Sequence, residues 1–590
     1  MKNIPLYIFL FLALVSCSDL RFGDAFLGDA PESSGATLDT MFVSAANADK
    51  VLNNAYRHLP YGLPTGNDPI LRKMGLNILE ALTDLHYSCR NNISDGPVNL
   101  YYNGSLSPNI STSSKNTEAY TFGNEYEYTA IRYAWIYIEN AGRIPDITET
   151  MRNRRIAEAK MIIAVSYAEM LRYMGGVPLL KRAVDVTDEM RFPRATFAET
   201  VDYIVQLIDE AAPFLNWREA GNDDGRMTKA GALALKLRVL LFAASPTFNS
   251  DTKWHPQADE YTCYGNCDPA RWQAAVAAGD DFFSELDRWG YYGLVLPDTE
   301  TPRARRLAFR KGYYERGSSE LLISTRRSYS SSVLGPFLSQ RLGSGPPLNY
   351  VNMFPWADGS DFPEDFDWTA PFRQPFFDEG GNLTRDPRLY ETVTVPGDIY
   401  YDGTVAPLHT NHTNFFLATG FMQMKFILQQ TSDRGTPIQW PYIRLSEVLL
   451  SYAEALNEVN GGPTPKAYEC VNGIRGRMGL PGLKGGMTKE QFREALLRER
   501  ALEFGFEEVR WFDLVRYGRE ADFRKHLYGL TSKGDNPNNP TKFTFRTYQL
   551  KDRYWVGTWD TKWYLSPVPN TEINKHYGMT QNPGWQASVQ

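Results

Sequence analysis

The chain has 590 residues and a formal net charge of −7 at pH 7. This acidic balance argues against a nucleic-acid partner, because proteins that bind nucleic acids present basic surfaces. Hydrophobic residues make up 43% of the chain and charged residues 22%, as is typical of a large globular protein.

The first 17 residues have the pattern of a secretion signal. A short basic start is followed by the apolar stretch 4–15, which is too short to span a membrane, and then by Ser16 and Cys17. Residues 14–17, Leu-Val-Ser-Cys, resemble a bacterial lipobox, in which the cysteine is acylated and becomes the mature N-terminus. We therefore predict a signal peptide at 1–16, lipidation of Cys17 and an acylated tether at 17–40. The alternative is a secreted protein with no lipid.

The mature chain also starts with acidic residues at 19, 24 and 29, which loosely resemble the surface-export signal of Bacteroidetes lipoproteins. Several acyl chains hold a protein firmly on a membrane, whereas one chain does so only marginally. We expect a protein that is anchored by lipid in the outer membrane and exposed on the cell surface.

Residues 41–289 show strong helical periodicity. One predicted helix opens at Thr196, which has capping-box spacing to Glu199. The other predicted helices of this part are Asn47–Leu59, Glu127–Glu139, Arg152–Met174, Lys229–Ala244 and a helix that starts near Pro269.

Residues 290–439 are rich in Gly, Pro, Asn and Asp and have few long periodic runs. They predict a loop-rich insert with short strands at Glu320–Thr325 and Glu391–Val395, in a position where binding sites are common. Periodicity returns in residues 440–590, where the predicted helices are Tyr442–Val459, Pro465–Met478 and Thr488–Tyr517. The last of these opens at Thr488, which has capping-box spacing to Gln491. The fold class that this pattern predicts is mainly α, with a tetratricopeptide-like helical-repeat scaffold around the insert.

Aromatic residues make up 13% of the chain, and many of them lie in stretches that read as loops. Flat rings on loops suit the apolar face of a sugar, while neighbouring polar groups read its hydroxyls. For each ring, packing under a loop is the alternative. The candidate ligand-binding residues are Tyr87, Tyr101, Tyr102, Asn103, Tyr313, Tyr314, Arg316, Tyr329, Trp356 and Asp358.

Other chemistry receives weaker support. Cys263 and Cys267 could form a local disulfide, but four metal ligands do not cluster around them. The acidic run 358–367 offers carboxylates that could hold a structural Ca²⁺ or serve a surface glycoside hydrolase, although a solvated acidic loop is commoner. We expect no catalytic residues, no metal site and no cofactor.

Several long motifs resemble those of the SusD/RagB family of Bacteroidetes outer-membrane lipoproteins. They include residues 440–458 (WPYIRLSEVLLSYAEALNE), 471–481 (VNGIRGRMGLP), 498–514 (RERALEFGFEEVRWFDL) and 564–574 (YLSPVPNTEIN). The resemblance spans nearly the whole mature chain. It implies four tetratricopeptide-like helix pairs packed on a variable, loop-rich region.

The resemblance also implies a function. Family members bind a nutrient, commonly a glycan, at the cell surface and cover a SusC-like TonB-dependent transporter to which they pass the ligand. We therefore predict a glycan-binding lipoprotein without enzymatic activity. The alternatives are a binder of peptides or of another nutrient in the same role, and a surface hydrolase.

The charged residues of these motifs are interpreted as structural rather than catalytic. Arg498 through Asp513 are expected to lie on one helix rich in salt bridges, and Arg475 and Arg477 to pair with its acids. Glu447 and Glu454 are expected to tie neighbouring helices together.

Overall fold

The structure is a computed structural model that describes residues 38–62, 79–88, 97–109, 127–185, 187–189, 191–326, 343–369, 375–399, 406, 408–411, 418–426 and 439–585. The predicted signal peptide and Cys17 lie outside these residues, as does nearly all of the predicted tether. Within the described ranges, no helix is both long enough and apolar enough to cross a membrane.

Ten long helices form the scaffold of the described chain. They are α1 (Ala45–Arg57), α2 (Glu127–Asn140), α3 (Glu149–Met174), α4 (Phe197–Ala211), α5 (Lys229–Ala244), α6 (Ala270–Trp289), α7 (Pro302–Tyr314), α8 (Leu445–Asn460), α9 (Pro465–Arg477) and α10 (Lys489–Phe504). The mainly helical fold predicted from the sequence is confirmed. The described residues also form seven short α-helices: Leu38–Met41, Leu348–Met353, Pro387–Thr392, Arg510–Arg516, Glu520–Phe523, Tyr554–Gly557 and Asn570–Ile573.

The helices from α1 to α6 pack in series, each against the next, and α8 continues the series by packing on α6, α9 and α10. Helix α3 is buried over most of its length, with Met161, Ile163 and Tyr167 fully enclosed. A helix buried on so many sides has no narrow apolar stripe, which is why its periodicity is weaker than that of α4.

Threonine opens most of these helices. Both capping boxes predicted from the sequence are confirmed: Thr196 accepts a hydrogen bond from the backbone N–H of Glu199, and Thr488 accepts one from Gln491. Four more N-terminal threonines accept a backbone N–H in the first turn without a capping box: Thr148, Thr228, Thr301 and Thr464.

The described strands form four antiparallel two-stranded sheets. These pair β1 (Tyr87–Ser88) with β3 (Ser344–Gly345), β2 (Leu321–Arg326) with β6 (Gln439–Arg444), β4 (Val393–Thr394) with β5 (Met422–Gln423), and β7 (Tyr528–Gly534) with β8 (Phe543–Gln549). The β2–β6 pair attaches the insert to the start of α8, because the N–H of Leu445 donates to the carbonyl of Glu320.

Two predicted helices have different bounds in the structure. The helix predicted from Tyr442 begins only at Leu445, because the residues before it form β6 and pair with β2. The helix predicted to run through Tyr517 ends at Phe504, so Arg498 and Asp513 lie on two helices. The break contains Phe506 and Glu508 with φ values of 66° and 59°, a left-handed conformation that no α-helix accommodates.

The insert is more ordered than its composition suggested. It contains α7, which Thr301 caps and in which Pro302 occupies the first turn. The strand predicted at Glu391–Val395 is largely wrong, because Pro387–Thr392 is helical and only Val393–Thr394 pairs as a strand. Pro387 stands at the first helical position, where its missing N–H leaves no hydrogen bond unmade.

A buried layer of ion pairs joins the helices to the insert. Arg444 pairs with Glu320 at 3.0 Å, Glu503 at 3.1 Å and Glu507 at 2.8 Å, and all four side chains are at least 97% buried. Arg477 pairs with Glu320 and with Glu503. Burial alone would raise the pKa of Glu503, but Arg477, Arg444 and Arg388 together hold it well below its usual range.

These contacts confirm the structural interpretation of the motif residues. Arg475 pairs with Glu499 and Arg477 with Glu503, so both arginines do meet the acids of α10. Glu447 on α8 pairs with Arg238 on α5, and Glu454 pairs with Arg516. The family-like sequence motifs therefore build the core of the scaffold.

Candidate functional site

The first group of predicted site residues packs against the C-terminal part of the chain. Tyr87, Tyr101 and Tyr102 are all less than 9% exposed. The ring of Tyr101 lies 6.0 Å from that of Trp563, and the ring of Tyr102 lies 6.4 Å from that of Trp555. These three tyrosines have the packing role that was the alternative to ligand binding.

The second group is buried more deeply. Tyr313 is fully buried beside Phe309 and Phe426, and its hydroxyl donates to Glu391 Oε1 at 3.3 Å. Tyr314 is 7% exposed. Both residues belong to the last turn of α7, a helix that the sequence analysis missed. Their rings therefore offer no face for a sugar to stack on, and we do not propose them as ligand contacts.

The remaining candidates do not converge on one site. Trp356 is 5% exposed and packs against Phe362. Asp358 is exposed, and its Oδ1 accepts the backbone N–H of Ser360 at 3.0 Å. Arg316 is half-exposed and pairs with Asp224 at 2.6 Å. Tyr329 lies outside the described residues.

Asn103 is the predicted residue that remains on an aromatic surface. It is exposed, and the next residue, Gly104, has φ of 71°. A Cβ atom at Gly104 would lie 2.7 Å from Cγ of Tyr554, so only glycine lets the Tyr554 ring lie directly against this turn. Tyr554 itself is 43% exposed. The turn and the ring together present a flat aromatic surface beside an amide.

A second exposed tyrosine lies in the C-terminal region. Tyr528 is 40% exposed and is paired directly with Gln549 across β7 and β8, so their side chains share one face of the hairpin. The Gln549 amide donates to Asp552 Oδ1 at 3.1 Å, and His526 Nδ1 lies 2.8 Å from the same oxygen.

Backbone geometry links this polar group to Tyr554. Arg553 is extended and buried, and its Nη1 donates to the carbonyl of Thr83 at 2.7 Å. Because side chains alternate along extended backbone, Asp552 and Tyr554 both point outward. We call the exposed surface formed by Asn103, His526, Tyr528, Gln549, Asp552 and Tyr554 the tyrosine face.

The tyrosine face offers groups of the kinds that bind sugars. Two exposed rings supply apolar surfaces, and an amide, a carboxylate and an imidazole lie beside or between them. Rings of this kind stack on the C–H face of a sugar, and the polar groups can bind its hydroxyls. Glycoside hydrolysis needs two carboxylates facing each other across a cleft, and the tyrosine face contains only Asp552.

In the acidic run 358–367, which suggested calcium binding or hydrolysis, carboxylates make local contacts within the protein. Asp361 pairs with Arg498 at 2.6 Å, and Asp367 Oδ1 accepts the backbone N–H of Thr369 at 2.8 Å. In the part of the chain that the structure describes, no group of three or more His, Cys, Asp or Glu side chains is placed to hold a metal ion.

The cysteines that could have formed a disulfide are unbonded in the structure. Cys263 is buried and Cys267 is exposed. Burial raises the pKa of the Cys263 thiol above its usual value, which disfavours the reactive thiolate.

Comparison with known proteins identifies similar chains and a shared fold. A sequence model of the SusD family matches residues 324–585, which include β6, α8–α10 and the hairpin of the tyrosine face. SusD-like protein P38 of Formosa agariphila is 25% identical over 451 residues, covering 73% of this chain and 77% of that protein. The chain is similar to proteins of the SusD family.

Solved structures show the SusD fold over nearly the whole chain. A SusD-like protein from Bacteroides fragilis matches with a TM-score of 0.69 and 22% identity, over 92% of this chain and 98% of that one. A SusD-like carbohydrate-binding protein from the same species matches with a TM-score of 0.64 and 20% identity, over 91% of this chain and 99% of that one. The resemblance seen in the sequence motifs is therefore confirmed.

Sequence reasoning missed both tyrosines of the tyrosine face in this SusD-like chain. Tyr528 and Tyr554 lie near family motifs, whereas the search favoured aromatics in variable loops. A usable signal was present, because Tyr554 stands beside Trp555 in a stretch rich in aromatic residues. Only the fold shows that one aromatic of that stretch is exposed while its neighbour is buried.

Proposed function

We propose that this SusD-like protein captures an oligo- or polysaccharide on the tyrosine face at the cell surface and carries out no chemistry on it. The observation that supports the proposal most strongly is the pair of exposed rings, Tyr528 and Tyr554, placed around the polar group of Asp552. The carbohydrate-binding relative from Bacteroides fragilis supports the same ligand class.

In this proposal the captured glycan passes to a SusC-like TonB-dependent transporter. A lipid on Cys17 would hold the binding protein beside the transporter at high local concentration, so that weak capture is still useful. Binding is expected to be weak to moderate, because stacking on a shallow surface buries little area.

The proposal predicts a loss of glycan binding in Tyr554→Ala. Removing a ring that stacks on the sugar should weaken binding about tenfold, or about 1.4 kcal/mol. The melting temperature should change little, because Tyr554 is an exposed side chain. The measurement is affinity electrophoresis against a panel of polysaccharides, followed by calorimetry with each glycan that retards the wild type.

The matched control is Tyr577→Ala, which removes another exposed tyrosine outside the tyrosine face. It should bind as the wild type does. Equal binding by both variants and the wild type would show that the glycan binds elsewhere. Retardation by no glycan together with binding of peptides would support the alternative nutrient, and release of shortened glycan would reveal a hydrolase.

The anchor is tested separately in cells of the source bacterium. Cys17→Ala should move the protein from the membrane fraction to the soluble fraction, because the thiol that carries the lipid is gone. The same substitution should leave glycan binding by the purified protein unchanged. Full retention of the variant on membranes would contradict lipid anchoring as the main attachment.

A further inference from the structure

A second aromatic surface lies at the end of α6. Trp289 is 56% exposed and Tyr291 is 44% exposed, while Tyr292 beside them is buried. All 13 tryptophans of the chain lie in the described ranges, and Trp289 is the single exposed one. Large exposed rings at neighbouring positions are unusual on the surface of a protein whose other tryptophans are buried or partly buried.

The backbone holds these rings outward at a conformational cost. Gly290 ends the helix with φ of 62°, and Tyr291 follows with φ of 75°, a region that non-glycine residues rarely adopt. Trp217 secures the turn by donating its indole N–H to the carbonyl of Gly290 at 2.9 Å. Such strain is typical of positions where a side chain must be presented in one direction.

The polar ends of both rings are already bonded within the protein. The indole N–H of Trp289 donates to Glu285 Oε2 at 3.0 Å, and the Tyr291 hydroxyl donates to the carbonyl of Gly317 at 3.1 Å. Both rings are therefore held in place before any ligand arrives. A surface prepared in this way loses little side-chain freedom when a flat ligand stacks on it.

Two guanidinium groups flank the rings. Arg218 lies over Tyr291, with Cζ 4.1 Å from the ring centroid, and Arg288 lies over Trp289 at 5.0 Å. Within the part of the chain that is described, neither guanidinium has a carboxylate within 4 Å, whereas Glu285 is paired with Lys229. Arginine that stacks on an aromatic ring keeps a planar set of donors that suits a carboxylate or a sulfate.

We propose that Trp289, Tyr291, Arg218 and Arg288 form a second glycan-binding site, selective for sugars that carry a negative charge. A pyranose ring stacks on the exposed aromatic surface, and its carboxylate or sulfate ester accepts hydrogen bonds from the arginines. This site consists of residues different from those of the tyrosine face, and its binding does not depend on that face.

The test uses the full mature chain with 5-fluorotryptophan at all tryptophans, observed by fluorine NMR. Trp289→Phe assigns the resonance of Trp289. The probes are oligogalacturonate for a carboxylate, carrageenan oligosaccharide for a sulfate and maltoheptaose as a neutral control. The Trp289 resonance should shift with one or both acidic probes and stay in place with maltoheptaose. The acidic probe that shifts the resonance shows whether the site recognises a carboxylate or a sulfate.

Two variants separate the rings from the charges. Tyr291→Gly removes a ring and relieves the left-handed backbone, so it should fold at least as well as the wild type and bind the acidic probe about tenfold more weakly. Arg218→Gln should also weaken that binding about tenfold and reduce its dependence on salt. Arg191→Gln, which alters a different exposed arginine, should have no effect.

Failure of this site and failure of the tyrosine face give different results. The double variant Tyr528→Ala and Tyr554→Ala should keep the full response of Trp289 to the acidic probe. A Trp289 resonance that no acidic probe shifts at millimolar concentration, or that maltoheptaose shifts equally, would overturn the second site. Glycan binding that is lost in Tyr554→Ala would still support the tyrosine face in that case.

Discussion

Replacing Arg444 by methionine should lower the free energy of unfolding by about 3 to 5 kcal/mol. Arg444 is fully buried and pairs with Glu320, Glu503 and Glu507. Methionine is similar in length but carries no charge, so the three carboxylates would remain in the core with one cation fewer. The measurement is the midpoint and slope of urea denaturation, with circular dichroism as the signal that monitors unfolding.

The matched control is Arg524→Met. Arg524 pairs with Glu520 at 2.9 Å, but both side chains are 45% exposed, and exposed pairs contribute at most about 1 kcal/mol. A loss of stability in Arg444→Met as small as that in Arg524→Met would contradict the importance of the buried layer. A variant too unstable to purify would agree with it, provided that Arg524→Met is obtained normally.

The second large effect is a change in how stability depends on pH. Glu80 is fully buried, and its Oε1 accepts the backbone N–H of Glu508 at 2.6 Å. Burial, together with the nearby Glu508 carboxylate, raises the pKa of Glu80 from 4.5 to about 8. The folded protein therefore holds a proton on Glu80 at pH values where the unfolded chain has released it.

The sign follows from this difference. A carboxyl group whose pKa is raised by folding contributes its full stability below about pH 4.5, and that contribution is lost as the pH rises towards 8. Glu80→Gln keeps an acceptor for Glu508 but cannot ionise. The free energy of unfolding of the variant, relative to that of the wild type, should increase by about 3 to 5 kcal/mol as the pH rises from 5 to 9. Each pKa unit corresponds to about 1.4 kcal/mol.

Urea denaturation at pH 5, 7 and 9 measures this gain, with Glu469→Gln as the control at an exposed carboxylate. The control should show the pH dependence of the wild type. A Glu80→Gln variant whose stability differs from that of the wild type by the same amount at all three pH values would show that Glu80 is ionised in the folded protein.

The scaffold could be predicted from the sequence because helix caps and buried stripes are local signals. The predicted helix Lys229–Ala244 has the same bounds in the structure, and Thr196 and Thr488 cap their helices as predicted. The break at Gly505 could not be predicted in the same way. It depends on Glu508 reaching the Glu80 carboxylate across more than 400 residues of sequence, a contact that no window of neighbouring residues contains.

The site was harder to predict than the fold for a related reason. Tyr313 and Tyr554 are the same kind of residue beside another aromatic, yet one is fully buried and the other is 43% exposed. The difference is made by distant partners, Phe426 over Tyr313 and Gly104 under Tyr554. Aromatic composition therefore indicated which class of ligand to expect. Identifying the residues that would contact such a ligand required the folded structure.

The buried layer around Arg444 has a consequence for how the native protein opens. It gathers Glu320 beside β2, Arg444 at the end of β6, Arg477 at the end of α9 and Glu503 near the end of α10. If any one of these segments detached, a buried charged side chain in another segment would lose its ion-pair partner. Their amide hydrogens should consequently exchange with solvent only in rare global openings, as one slow-exchanging unit assembled from four separate stretches of sequence.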